Sequence, residues 1–114
     1  MSLDNLHAVD AISTDKLGTT ITLTIFDALD WGEEGKHLLA LQNKLNTYFS
    51  FIQSGQILES YPNANGKQLC IELVTPAPIP PKCIELLRRA DLLAQQLNVR
   101  VGHRVQIASP NPQP

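Results

Sequence analysis

Asp27, Trp31, Glu34 and His37 bring two carboxylates, an indole and an imidazole into one short stretch of this sequence. A carboxylate beside an imidazole is the usual equipment for moving a proton, provided both groups line a cleft that shifts their pKa values. Glu34 and His37 also stand three apart, the Glu-x-x-His spacing that puts both ligands on one helix face in carboxylate-bridged di-metal bundles. Such a centre needs a second copy of the pair and further carboxylates from other helices, and the chain offers neither, so no metal and no cofactor is expected. One reading is therefore a pocket near the start of a helix, with Trp31 as its wall and His37 as general base or ligand contact. The other is structural: Asp30 and Glu33 have capping-box spacing, Trp31 covers the helix N-terminus, and His37 is solvated or locally hydrogen-bonded.

The wider sequence adds little catalytic chemistry. It contains no G-x-G-x-x-G, Walker loop, G-x-S-x-G, H-E-x-x-H or EF-hand loop. His7, His37 and His103 fall on different expected elements, so spacing alone does not assemble them. No catalytic residue is assigned.

The element that must position this stretch is a helix running from Asp30 toward Gly55. Leu38, Leu41, Leu45, Tyr48 and Ile52 recur at spacings of three and four, with Phe49 joining them, so this stripe should face the core. Ser54-Gly55 closes the helix, the glycine suiting a left-handed cap. Phe51 lies away from the centre of the stripe beside Lys44 and Tyr48, and Leu39 leaves it on the opposite flank. A second helix, from about Lys82 to Leu97, carries the stripe Cys83, Leu86, Leu87, Ala90, Leu93, Ala94 and Leu97, with Leu92 nearly opposite. Large apolar residues outside a core stripe pack under a loop or mark a contact surface. Leu39, Lys44, Tyr48, Phe51 and Leu92 are the candidate contact residues.

Around the helices, strands are expected. Leu6 to Ser13 and Thr20 to Ala28 read as a hairpin turned at Gly18, and the alternation of TITLTIFDA puts Ile21, Leu23 and Ile25 on one face. ILESY and QLCIELV read as a second hairpin, because Asn65-Gly66 between them is a strong turn signal. TPAPIPP connects to the second helix, and a last strand covers Asn98 to about Val105. The order predicts an α+β fold, a two-layer sandwich with a mixed sheet of about five strands and two helices on one face. Residues 1–105 form a single domain in this reading, and 106–114 a disordered tail.

Composition narrows the function classes. With 43% hydrophobic and 18% charged residues, the chain is an ordinary globular one that can build a core without metal or disulfide. No apolar run approaches the roughly 20 residues that span a bilayer, and the first ten residues lack the pattern of a signal peptide, so a cytoplasmic protein is expected. Cys70 and Cys83 have no CxxC spacing and read as reduced structural thiols. Arg88, Arg89, Arg100, His103 and Arg104 could form a small basic patch, but aromatics are not interleaved with them and the net charge is −2, which argues against nucleic acid.

Trp31, Glu34, Leu38, Leu41-Gln42, Lys44-Leu45-Asn46, Tyr48, Phe51-Ile52 and Ser54-Gly55, followed by Tyr61-Pro62 and an apolar strand, resemble a family of small bacterial proteins catalogued only as a domain of unknown function. The resemblance covers about residues 7 to 103 and implies a bacterial, intracellular, single-domain protein, with no activity, cofactor or site residue carried over. From the residues themselves, the expectation is a non-catalytic protein-binding module, adaptor or immunity-like, or a homo-oligomer. The alternative is a small-ligand-binding protein or enzyme using Asp27, Trp31, Glu34 and His37.

Overall fold

The computed structural model describes residues 11–28 and 31–106. It is an α+β fold in which four strands, β1 (Ala11–Thr14), β2 (Thr20–Phe26), β3 (Gln68–Thr75) and β4 (Val99–Val105), form one sheet in the order β1-β2-β3-β4. The first pair is antiparallel; β2, β3 and β4 run parallel. The helices are α1 (Glu34–Gln53), the short α2 (Gln56–Ser60) and α3 (Pro81–Ala94), with single 3-10 turns at Pro62–Ala64 and Gln95–Leu97.

The expected first hairpin forms over β1 and β2, while residues 6–10 of its expected first strand lie outside the described residues. Its loop is tied by Asp15, whose Oδ1 accepts the amides of Thr19 and Thr20 and whose Oδ2 accepts the Thr19 hydroxyl, while Gly18 takes a φ of 71°. These bonds to its charged form lower the Asp15 pKa.

The second hairpin does not form, and the described sheet has four strands rather than five. The ILES segment is helical: Gly55 ends α1 at a φ of 84° and α2 starts at once, burying Ile57 while leaving Leu58 exposed. Asn65-Gly66 is indeed a turn, closed by the Lys67 amide donating to the Ala64 carbonyl. Asn65 keeps a φ of −61° and only Gly66 is positive at 80°, a type II geometry that redirects the chain without pairing it back on itself. α1 and α2 thus serve as the crossover that two parallel strands require.

One hydrophobic cluster draws residues from the sheet and from both long helices. In register across the sheet lie Ile21, Leu69 and Val99, then Leu23, Ile71 and Val101, then Ile25, Leu73 and His103. Leu41, Leu45 and Tyr48 of α1 and Cys83, Leu87, Ala90 and Ala94 of α3 pack into the same cluster. Two residues depart from the expected stripes. Leu93 is 63% exposed, so the buried face of α3 is the narrower Cys83, Leu87, Ala90, Ala94 row. On α1 the buried face is rotated so that His37 and Lys44 are inside, while Leu38, Phe49 and Ile52 are only half-buried.

Candidate functional site

Three of the four residues expected to line a pocket do come together. Asp27 sits just past the end of β2, where its amide donates to the Val74 carbonyl of β3, and His37 lies in the first turns of α1. The His37 Nε2–H donates to the Asp27 carboxylate at 2.5 Å. Trp31 stacks on the imidazole, with ring centroids 3.6 Å apart and an interplanar angle of 17°. Strand end, connecting loop and helix start are thereby fastened at one point. Glu34 stands half-buried, and its charge and that of Asp27 are both felt by Cys83 at the start of α3.

The pair itself is buried: the side chains of Asp27 and His37 are 0% and 3% exposed, whereas Trp31 and Glu34 are half-buried. Burial without a partner would cost a carboxylate several kcal/mol, and the His37 bond meets that need. Asp30, the proposed helix cap, lies outside the described residues, as does His7. Glu33 occupies the N-cap of α1 without a side-chain capping bond and instead pairs with Lys36 at 3.0 Å. Among the described residues no group of three or more His, Cys, Asp or Glu is arranged to hold a metal, and no helix is long and apolar enough to cross a membrane.

Cys83 is fully buried beside this cluster. Desolvation, then the negative charges of Asp27 and Glu34, push its thiol up to about 12. Burial also raises the Cys70 thiol on the sheet. Iodoacetamide at pH 8 is therefore expected to leave Cys83 unmodified in the folded chain and to alkylate it in denaturant, as read by intact mass. Fast labelling of Cys83 without denaturant would contradict this.

The candidate contact residues do not share one surface. Lys44 and Tyr48 are fully buried and cannot belong to an exposed surface. The Lys44 ammonium lies 5.8 Å from the Tyr48 ring centroid, within cation–π reach, and the Tyr48 hydroxyl donates to the Thr24 carbonyl at 2.8 Å. Leu39 and Leu92 are 58% and 55% exposed. Phe51 is half-buried, packing on the core while also lining the wall of a groove.

That groove, about 600 Å³, runs between β1, the second half of α1 and α2. Its lining is Ile12, Asn46, Thr47, Ser50, Phe51, Gln56, Ser60 and Tyr61. Among the described residues its lining holds no charged side chain. Amide and hydroxyl groups alternate with two aromatic rings, a set that can bond polypeptide backbone and seat an apolar side chain. Leu39 lies eleven residues before Ser50, a whole number of helical turns, so it extends the same face of α1. The sequence reading found Phe51 by its position off the stripe. Tyr61, in the segment expected as a strand, and Gln56, between the expected helix and that strand, were not foreseen and reach the groove because α2 follows α1 at once.

His103 on β4 is a separate polar feature. Its Nε2–H donates to the Thr75 hydroxyl at 2.8 Å, which in turn donates to the Ala77 carbonyl at 2.7 Å. Burial holds its pKa below the usual 6.5, against the opposing pull of Glu72. The unfolded chain then takes up the proton first as pH falls, so the neutral His103 contributes stability above about 6.5 that is lost below it. The difference in urea midpoint between the parent and His103→Gln should be constant above pH 7 and shift against the parent as pH drops through 6. A difference independent of pH would contradict this.

A model of a family of unknown function (DUF6572) matches residues 1–107. No curated protein and no solved structure gives a significant match to the chain.

Proposed function

We propose, for a chain that belongs to this family of unknown function, a non-catalytic protein-binding role exercised through the groove of Phe51 and Tyr61. The observation that carries the reading is the contrast between two sites. Asp27 and His37, the residues equipped for proton transfer, are buried, whereas the described lining of the groove of about 600 Å³ consists of uncharged hydrogen-bonding groups and aromatic rings. The partner segment such a lining suits is uncharged polypeptide, with an apolar side chain against Phe51. Leu39 continues this contact along α1; Leu92, on α3, does not line the groove.

The frame behind the groove is read as one two-layer domain spanning residues 1–105, with α1 and α3 against the same sheet face. Their shared core supports that arrangement. A bacterial, cytoplasmic setting is part of the same proposal and rests on the family resemblance.

The alternative is a ligand pocket at Asp27, Trp31, Glu34 and His37. The assembly of three of these residues favours it, and the burial of Asp27 and His37 opposes it. Affinity capture from the native cell separates the two readings. Ser50 is exposed on the groove floor, so Ser50→Arg should fill the groove and leave the core intact. A partner held stoichiometrically by the parent should be lost by Ser50→Arg and by Tyr61→Ala, with unchanged circular dichroism. Equal recovery by all three proteins would reject the groove.

A further inference from the structure

We propose that the outer edge of β4 is a second docking site, taking an extended peptide segment of alternating apolar and acidic residues as an added strand. This goes beyond the groove at Phe51, which lies at the opposite side of the sheet. β4 is the last strand in the sheet order. The Gln106 amide donates inward to the Thr75 carbonyl, so in the alternation of a parallel ladder Val101, His103 and Val105 direct their backbone groups away from β3. Val101 demonstrates the outward direction: its amide donates to Asp91 Oδ1 at 2.8 Å. Asp91 thus occupies the place that a carbonyl of an added strand would take. The row of outward groups continues past it through His103 to Val105.

Beside this edge, between α3 and β4, lies a groove of about 300 Å³ with Ile79, Ile84, Leu87 and Val101 among its lining residues. Ile84 is 55% exposed. Side chains of an added strand alternate, one set entering this groove and the other lying on the opposite sheet face. On that face β4 presents Arg100 and Arg104, and β4 carries no acid. Arg100 contacts Asp91 at 3.4 Å, and Arg104 contacts Glu72 at 3.3 Å and donates to the Gln106 side-chain carbonyl at 2.6 Å, which leaves further guanidinium donors available on both. Apolar residues toward α3 and acidic residues toward the arginines are the matching pattern.

The test is fluorescence anisotropy with a fluorescein-labelled heptapeptide alternating glutamate and valine, and with its lysine-for-glutamate counterpart. Saturable binding of the acidic peptide is expected, about tenfold weaker for the basic one. Val105→Pro removes an outward amide at an edge position that tolerates proline, and should weaken binding by a similar factor. Ile84→Asp, at an exposed helix position, should do the same and decides the matter if Val105→Pro fails to fold. Absence of saturation, equal affinity for the basic peptide, or unchanged affinity in the folded variants overturns the proposal. A dimer seen by light scattering that Val105→Pro abolishes, without peptide uptake, also overturns it and assigns the edge to a second copy.

Discussion

Asp27→Ala is expected to lower the unfolding free energy by about 3–5 kcal/mol, measured from urea transitions. The variant removes the carboxylate that accepts from the buried His37 imidazole, and it loosens the point where the end of β2, Trp31 and the start of α1 meet. A domain of ordinary stability has about 5–15 kcal/mol to lose, so the variant should be close to unfolding at 37 °C. His37→Ala should cost a comparable amount. The double variant should cost less than the sum of the two by about 1–3 kcal/mol, because both changes remove the same bond. A loss below about 1 kcal/mol for each, or strict additivity, would show that the pair does not hold this corner of the fold.

Leu41→Ala is the second large effect, about 2–5 kcal/mol, since Leu41 is fully buried beneath the sheet. Leu39→Ala, two residues away on the exposed face of α1, should change stability by less than about 0.5 kcal/mol. The pair measures how α1 is rotated. Similar losses at both positions would mean that the exposed side of the helix is covered, and the face that continues the groove would be withdrawn.

The rotation of α1 is also where sequence reasoning reached its limit. Apolar periodicity located Leu41, Leu45 and Tyr48 correctly because oil-like side chains are buried wherever a helix packs. His37 and Lys44 are inside for reasons that periodicity does not register: an acceptor supplied by another element at Asp27, and an aromatic ring supplied by Tyr48. The first pairing depends on tertiary placement, whereas the second joins residues four apart on α1. Leu93 erred in the other direction, apolar yet exposed, because the small residues Ala90 and Ala94 let α3 lie close to the sheet on a narrow face.

The strand error at Ile57 to Tyr61 has a similar origin. A five-residue segment with Ile57, Leu58 and Tyr61 as its apolar members, shortly before an Asn-Gly turn, fits a hairpin, and it fits equally a short helix with a type II turn after it. What decides is the neighbour of β3. Its run QLCIELVT is nearly continuous in apolar character, as expected of a parallel strand with neighbours on both sides, and it finds β2 and β4 there. For the candidate site, Asp27, Trp31 and His37 were legible as a set from their residue types. The burial of Asp27 and His37 was not, because it depends on how α1 seats against the strand ends.

The role proposed for the groove is tested most directly by placing a photo-crosslinkable phenylalanine at position 50 and irradiating living cells that express the chain. Ser50 is exposed and lines the groove, so a polypeptide seated there lies within reach of the probe. The expected result is one discrete crosslinked species from position 50 that is missing when the same probe replaces Leu17, which is 83% exposed on the hairpin loop. No crosslink from position 50, or the same products from both positions, would contradict the assignment of this groove as the binding surface.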